Sequence, residues 1–374
     1  MKIEQVDTYL VGDRWMYLQI HTDNGLTGLG EAGMWGYPTT AERMIQAWTP
    51  YLRGKNPLEI EHHWQFLYRN AQFRGAAVGA ALSAIDIALW DIAGKHFGVP
   101  AYQLLGGKTR DRIRLYVHAD APTVEGVVAN ARRRVADGFT AVRFNPLMPG
   151  FETRRHDALI DEAVQCVGAV RDAVGPGVDL CVEVHRRLSP IQALAFTRGI
   201  EPFRPFFCED PIVYESIKSM AQFAPQMPVP VGIGERLHTI YEFRELLEGG
   251  GIAYVRPDLC LAGGLTHVKK IAALAEAHLA GVAPHITMSP VSIAACVQLD
   301  ACIPNQVLQE YALNDQPPES KILKRPLQLE GGFLRVPDAP GIGVELNVDA
   351  LRQMPHFYRE IDTPLHDDGS VADK

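Results

Sequence analysis

No two cysteines in this chain stand at metal-ligand or redox spacing. The six (Cys166, Cys181, Cys208, Cys260, Cys296 and Cys302) include no C-x-x-C pair and mostly fall inside apolar runs, so they read as reduced core thiols in a reducing compartment. Residues Met1 to Asp7 alternate charged and apolar groups and lack the apolar stretch of a signal peptide. By the same reading, no run is long and apolar enough to span a bilayer. Basic excess is missing too. A formal charge of −8 and an isoelectric point of about 5.9 exclude the basic face that nucleic acid or an anionic membrane requires. With 47% hydrophobic and 21% charged residues among 374, a disordered or fibrous chain is excluded as well. What remains is a soluble cytoplasmic protein with a large core and a small-molecule partner.

What the chain does have is a regular series of ionisable residues, each closing a short apolar or β-branched run. Glu183, Glu209 and Glu235 are spaced by 26 and 26 residues, and Asp258, His285 and Glu310 follow after 23, 27 and 25. One strand, one helix and two turns need about that length. Eight strand-like runs alternate with helical stretches: 113–118, 141–145, 178–185, 205–209, 229–235, 252–258, 280–285 and 307–310. Such alternation predicts a closed parallel barrel with its site at the C-terminal ends of the strands.

The regions flanking the barrel differ in pattern. Residues 1–33 carry strand signals around Asn24-Gly25, a hairpin dipeptide whose central residues favour positive φ. Within them Gly28-Leu-Gly30-Glu-Ala-Gly33 matches a dinucleotide-binding pattern, but it ends a hairpin and no helix follows at once. Three helices are expected next, over about 40–48, 58–68 and 75–97. Asp86 and Asp91 on the last, mostly apolar one fit caps or internal partners better than catalysts. The division expected is an α+β capping domain over 1–110, a (β/α) barrel over 111–319, and a C-terminal segment over 320–374 that completes the cap. The fold class is therefore α/β, a modified TIM barrel with an α+β cap.

Glu183, Glu209 and Glu235 fall on the third, fourth and fifth strands, side by side. Three adjacent carboxylates with no fixed basic partner repel one another, and a hard divalent cation relieves this; a few oxygen ligands with waters retained favour Mg²⁺. His185, two residues from Glu183 on the same strand, is expected to face the same way. His285 on the seventh strand lies across the ring from it, and Asp258 on the sixth can hold its ring N–H and raise its basicity. Glu310 on the eighth is placed to stabilise developing charge on the substrate. Such a set suits abstraction of a proton α to a metal-chelated carboxylate by His285, with His185 protonating a leaving β-hydroxyl to give a 2-keto-3-deoxy acid.

The motifs also carry a resemblance. Ser83 to Lys95, followed by Gly98 to Gly107, resembles the capping domain of the mandelate-racemase subgroup of the enolase superfamily. Cys208-Glu-Asp-Pro211, Gly234-Glu-Arg236, Arg256-Pro-Asp258, Gly263-Gly264 and Ala283-Pro-His285 resemble its barrel motifs. Arg14 to Leu18, Val184 to Arg187 and the tail Asp368 to Asp373 are similar to the acid-sugar dehydratases of galactonate and gluconate type. The resemblance implies Mg²⁺ on Glu183, Glu209 and Glu235, His285 with Asp258 as base, His185 as acid, Glu310 as electrostatic stabiliser, and by analogy a homo-oligomer.

Two residues depart from the subgroup. Arg143-Phe-Asn145 stands where mandelate racemase has Lys-x-Lys, which removes a second base and leaves Asn145 as a candidate for binding a substrate hydroxyl. Glu183 stands where aspartate is usual, moving the carboxylate by roughly one C–C bond, about 1.5 Å. Racemisation or epimerisation of a 2-hydroxy acid, and non-catalytic binding of a sugar acid, are the alternatives.

Overall fold

In the computed structural model, which describes residues 1–213, 215–313 and 317–372, the opening β-branched and aromatic runs form an antiparallel meander. β1 (Ile3–Val11), β2 (Trp15–Thr22) and β3 (Thr27–Gly33) pair in sequence order. The β2–β3 turn is longer than the two-residue form expected from Asn24-Gly25. Of that pair Gly25 alone takes positive φ, 84°, and Thr22 N donates to Leu26 O at 3.0 Å, while the Thr22 hydroxyl donates to the Asn24 side chain at 2.6 Å.

Helices α1 (Pro38–Leu52), α2 (Ile60–Asn70) and α3 (Ala76–Phe97) follow, then a single turn, α4 (Ala101–Leu104). α3 corrects one expectation, for it is long and apolar enough to cross a bilayer. It is instead a buried core helix, because the capping sheet lies along one side and the barrel along another. Asp86 Oδ2 accepts from Thr266 N at 2.9 Å, and Asp91 accepts from Leu29 N and Ile342 N at 2.8 Å each. Both acids therefore act as internal partners, which removes the penalty of burying those amides unpaired.

All eight expected runs form strands: β4 (Arg112–His118), β5 (Ala141–Phe144), β6 (Asp179–Glu183), β7 (Phe207–Glu209), β8 (Val231–Ile233), β9 (Ile252–Val255), β10 (Gly281–Val282) and β11 (Gln309–Tyr311). Seven helices alternate with them: α5 (Val124–Ala136), α6 (His156–Val174), α7 (Pro190–Ile200), α8 (Ile217–Phe223), α9 (Ile240–Glu248), α10 (Gly264–Ala277) and α11 (Pro290–Cys302). Parallel pairing runs from β4 to β10, β11 returns to β4, and a bridge between Val282 and Gln306 closes the ring. Capping boxes at Ser189 and Thr239 start α7 and α9, each satisfying helix amides that would otherwise lack partners. Tyr116, Ala141, Cys181, Phe207 and Leu308 form a separate buried cluster that fills the ring. All six cysteines are free, and five are buried.

The tail beyond β11 serves both parts of the molecule. β12 (Leu329–Glu330) and β13 (Phe333–Arg335) form a hairpin whose second strand pairs antiparallel with Arg112–Arg114 of β4. This stretch, expected on the cap, extends the barrel sheet, because β4 begins before its neighbours and only Leu115–His118 pair with β5 and β11. Further on, Gly341 bridges to Pro100 and His356 to Gly12, on the cap side. Asp373, the last residue of the tail motif, lies outside the described residues.

Candidate active site at the barrel mouth

β6 and β7 end on Glu183 and Glu209, which are register partners, and Glu235 follows β8 by two residues. One carboxylate oxygen from each lies within 4.8 Å of the others. Contrary to the expectation of carboxylates without basic partners, each is paired with a buried or largely buried arginine. Arg143 Nη2 stands 3.0 Å from Glu183 Oε2, Arg256 Nε donates to Glu209 Oε1, and Arg186 Nη1 donates to Glu235 Oε1. The arginines come from other strands and loops, so spacing along the chain did not expose them. One had a local sign: Arg256 directly follows the run that forms β9, two residues before Asp258.

Even so, the mouth holds more carboxylates than guanidiniums, since Asp210, Asp258 and Glu310 join the triad. Burial pushes the Glu209 carboxyl well above the usual range; Arg256 opposes this, and Glu183 and Glu310 add repulsion. Its Oε2 is buried with no hydrogen-bond partner. An orphaned buried carboxylate oxygen facing two more carboxylates is a donor set that fits a hard divalent cation. Glu235 is different: burial works against ionisation, but His285 and Arg186 outweigh it and hold the carboxyl down to about 2.

His285 and Asp258 lie just past β10 and β9 and bridge one another. Asp258 Oδ2 takes the His285 Nδ1 proton at 2.7 Å, while Asp258 Oδ1 accepts from Cys260 N at 2.7 Å. This leaves His285 Nε2 free of Asp258, 3.6 Å from Glu235 Oε2. Burial disfavours imidazolium, yet Glu310, Asp258 and Glu235 together raise His285 to about 9.

His185 is close to the triad by a different route from the one expected. β6 stops at Glu183, and His185 and Arg186 adopt positive φ, 58° and 66°, so two-residue alternation does not carry past the strand end. The backbone folds back instead, and His185 N donates to Glu183 Oε1. Arg186 Nη2 donates to His185 Nε2 at 2.9 Å. Burial lowers His185 to about 4, with Glu183 opposing.

Glu310 lies on β11 between His118 Nε2 at 2.7 Å and Arg256 Nη2 at 3.1 Å. Burial disfavours its charge, but His285, His118 and Arg256 hold it well below the usual carboxylate range. His118, the last residue of β4, thus enters the site. The His238 ring instead lies beside α9, its Nδ1 3.7 Å from Glu242 Oε1. Asn145 follows β5, and its Oδ1 is taken by Leu147 N at 2.8 Å while its N–H donates to Asp120 at 2.7 Å. Asp120 also holds Arg143 at 2.7 Å.

Comparison with known proteins gives one answer throughout. Residues 8–106 match the mandelate racemase / muconate lactonizing enzyme N-terminal domain, and residues 126–350 match the enolase C-terminal domain-like family. D-galactonate dehydratases from Variovorax paradoxus and Ralstonia nicotianae are 38% and 37% identical, with all of each chain covered. Among solved structures, an enolase from Agrobacterium radiobacter bound to Na and L-malate superposes with a TM-score of 0.95 at 28% identity over 100% of both chains. A mandelate racemase/muconate lactonizing enzyme from Jannaschia sp. CCS1 does so at 0.89 and 31%, covering 96% of this chain and 99% of that one. The chain belongs to the mandelate racemase/muconate lactonizing enzyme family of the enolase superfamily, with its capping domain and barrel both present.

Proposed function

We propose that this chain dehydrates a six-carbon acid sugar of galactonate or gluconate type to a 2-keto-3-deoxy acid, with Mg²⁺ held by Glu183, Glu209 and Glu235. The chain is a hydro-lyase of the enolase superfamily, similar along its full length to D-galactonate dehydratases. The observation that carries the reading is the His285–Asp258 dyad at 2.7 Å beside three clustered glutamates.

The bound cation would supply positive charge that offsets the charge developing on the substrate carboxylate as its α-proton leaves. His285 takes that proton at Nε2, because Asp258 fixes the Nδ1 proton and the ring orientation. His185, lowered to about 4 with its Nε2 engaged by Arg186, is proposed to deliver a proton to the departing 3-hydroxyl once it has been protonated in the loaded site. Glu310, ionised between His118 and Arg256, contributes a fixed charge beside the base. Asn145 is proposed to bind a substrate hydroxyl. Arg143 supports elimination over racemisation: Glu183 and Asp120 outweigh burial and keep it cationic, so it cannot act as a second base.

Incubation of the Mg²⁺-loaded protein with galactonate, gluconate and related aldonates is expected to yield a 2-keto-3-deoxy acid from at least one. His285→Asn is expected to lower turnover by about 10²–10⁴-fold while retaining substrate binding. Folded, metal-loaded protein that turns over none of them would overturn the proposal.

A further inference from the structure

The G-x-G-x-x-G run serves close packing between the capping sheet and its neighbours. A Cβ added at Gly28 or Gly30 would stand 2.1 Å from the Ala88 carbonyl oxygen or 1.9 Å from that of Ala84, so β3 lies flush on α3 only because these side chains are missing. Strand alternation puts Glu31 and Gly33 on the opposite face. There, a Cβ at Gly33 would stand 2.9 Å from Thr287 Cγ2. The capping sheet is thus pressed against the two segments that carry the proton-abstracting dyad.

Both segments are anchored by that sheet. On the His285 side, the Thr287 hydroxyl donates to Glu31 Oε1 and Trp15 Nε1 donates to Thr287 O at 3.0 Å. Tyr17, the register partner of Glu31, shares a hydrogen bond with Ser289 Oγ at 3.0 Å. On the Asp258 side, Gly33 N donates to Cys260 O at 2.8 Å, and Cys260 N is the donor that holds Asp258 Oδ1. Each member of the dyad is therefore two residues from an anchor on the cap.

We propose that Glu31 is a positioning residue for α-proton abstraction, tying the Thr287 segment to the capping sheet so that the His285 ring keeps its line to the substrate. The proposal rests on the reading of His285 as the base. Glu31 is fully buried, and its Oε2 has no partner among the described residues. Burial pushes its carboxyl up to about 8, against the Thr287 and Ser289 hydroxyls, and Oε1 accepts from Thr287. A neutral group here spares Asp258 a competing negative charge. Glutamine reproduces its size, charge and hydrogen-bonding pattern.

The test compares Glu31→Ala, Glu31→Gln and Thr287→Val in the full chain with Mg²⁺. Three readings are taken: kcat and KM on the accepted aldonate, Mg²⁺ affinity, and the NMR resonance of the His285 Nδ1 proton shared with Asp258. Glu31→Ala is expected to lower kcat about 10–100-fold, to leave KM and Mg²⁺ affinity within about threefold, and to shift or broaden that resonance. Glu31→Gln is expected to restore both kcat and the resonance. Should Glu31→Ala fail to fold, Thr287→Val carries the same expectation. The resonance is read without substrate, so it decides the matter even if no aldonate is turned over. A folded variant with a wild-type kcat and resonance, or a Glu31→Gln no better than Glu31→Ala, would overturn the proposal.

Discussion

Two groups of buried carboxyls lie within one side chain of the same dyad, and the protein treats them in opposite ways. At the barrel mouth Glu235, beside His285 and Arg186, is held down to about 2, while Glu209, with one guanidinium against Glu183 and Glu310, is still pushed well above the usual range. At the seam between cap and barrel Glu31 faces the Thr287 and Ser289 hydroxyls and the Ser292 backbone, and rises to about 8. Burial is nearly complete in both places, so it cannot be what separates them. What separates Glu235 from Glu31 is whether the cations beside the acid outweigh burial and the neighbouring carboxylates. Cations that outweigh burial keep a carboxylate charged, as at Glu235, whereas hydroxyls leave it neutral and suited to holding a loop, as at Glu31.

The comparison is broken most severely by removing one fixed cation. Arg256→Met leaves Glu209 buried without its guanidinium and Glu310 with only His118 and the Ile286 amide as hydrogen-bond partners; a loss of about 3–5 kcal/mol is expected in urea unfolding of the metal-free protein. Glu31→Gln is expected to do the reverse, and only above acid pH. Because the folded carboxyl titrates near 8 against about 4.5 when unfolded, the wild-type stability fully present below about pH 4.5 is lost as the pH rises through about 8. The groups facing Glu31 are Tyr17, Cys260 and Asp258, with the Thr287 and Ser289 hydroxyls. The unfolding free energy of Glu31→Gln should match wild type at pH 4 and exceed it at pH 8 by on the order of a few kcal/mol. The smallest effect is expected for Tyr17→Phe, which removes one hydroxyl contact to Ser289 and costs about 0.5–1.5 kcal/mol. A large loss of stability in Glu31→Gln at pH 8 would erase the distinction between the two groups.

The same contrast explains what could be read from the sequence. The barrel was legible because every βα unit imposes nearly the same length, so the acids closing its strands recur at intervals of 23–27 residues. Strand order then placed Glu183, Glu209 and Glu235 together, and Asp258 beside His285. The cations were hidden because their pairings span 40, 49 and 47 residues and depend on which strand neighbours which. His185 eluded the alternation argument because β6 ends before it and the next two residues turn left-handed. Glu31 carried no local signal: its Thr287 partner is 256 residues away, and its flanking glycines resembled a nucleotide motif while serving close packing. The hairpin of β12 and β13 was legible as strand, but its destination depended on how much of β4 its neighbours leave uncovered.

The most direct measurement is the position of deuterium after turnover of an aldonate in D₂O by the Mg²⁺-loaded protein. Abstraction of the C2 proton by His285 with loss of the 3-hydroxyl gives an enol that takes its new hydrogen from solvent. One deuterium is therefore expected at C3 of the 2-keto-3-deoxy product, with none at C2 of the recovered substrate. Deuterium at C2 of recovered substrate with inverted configuration, and no keto acid formed, would contradict the account.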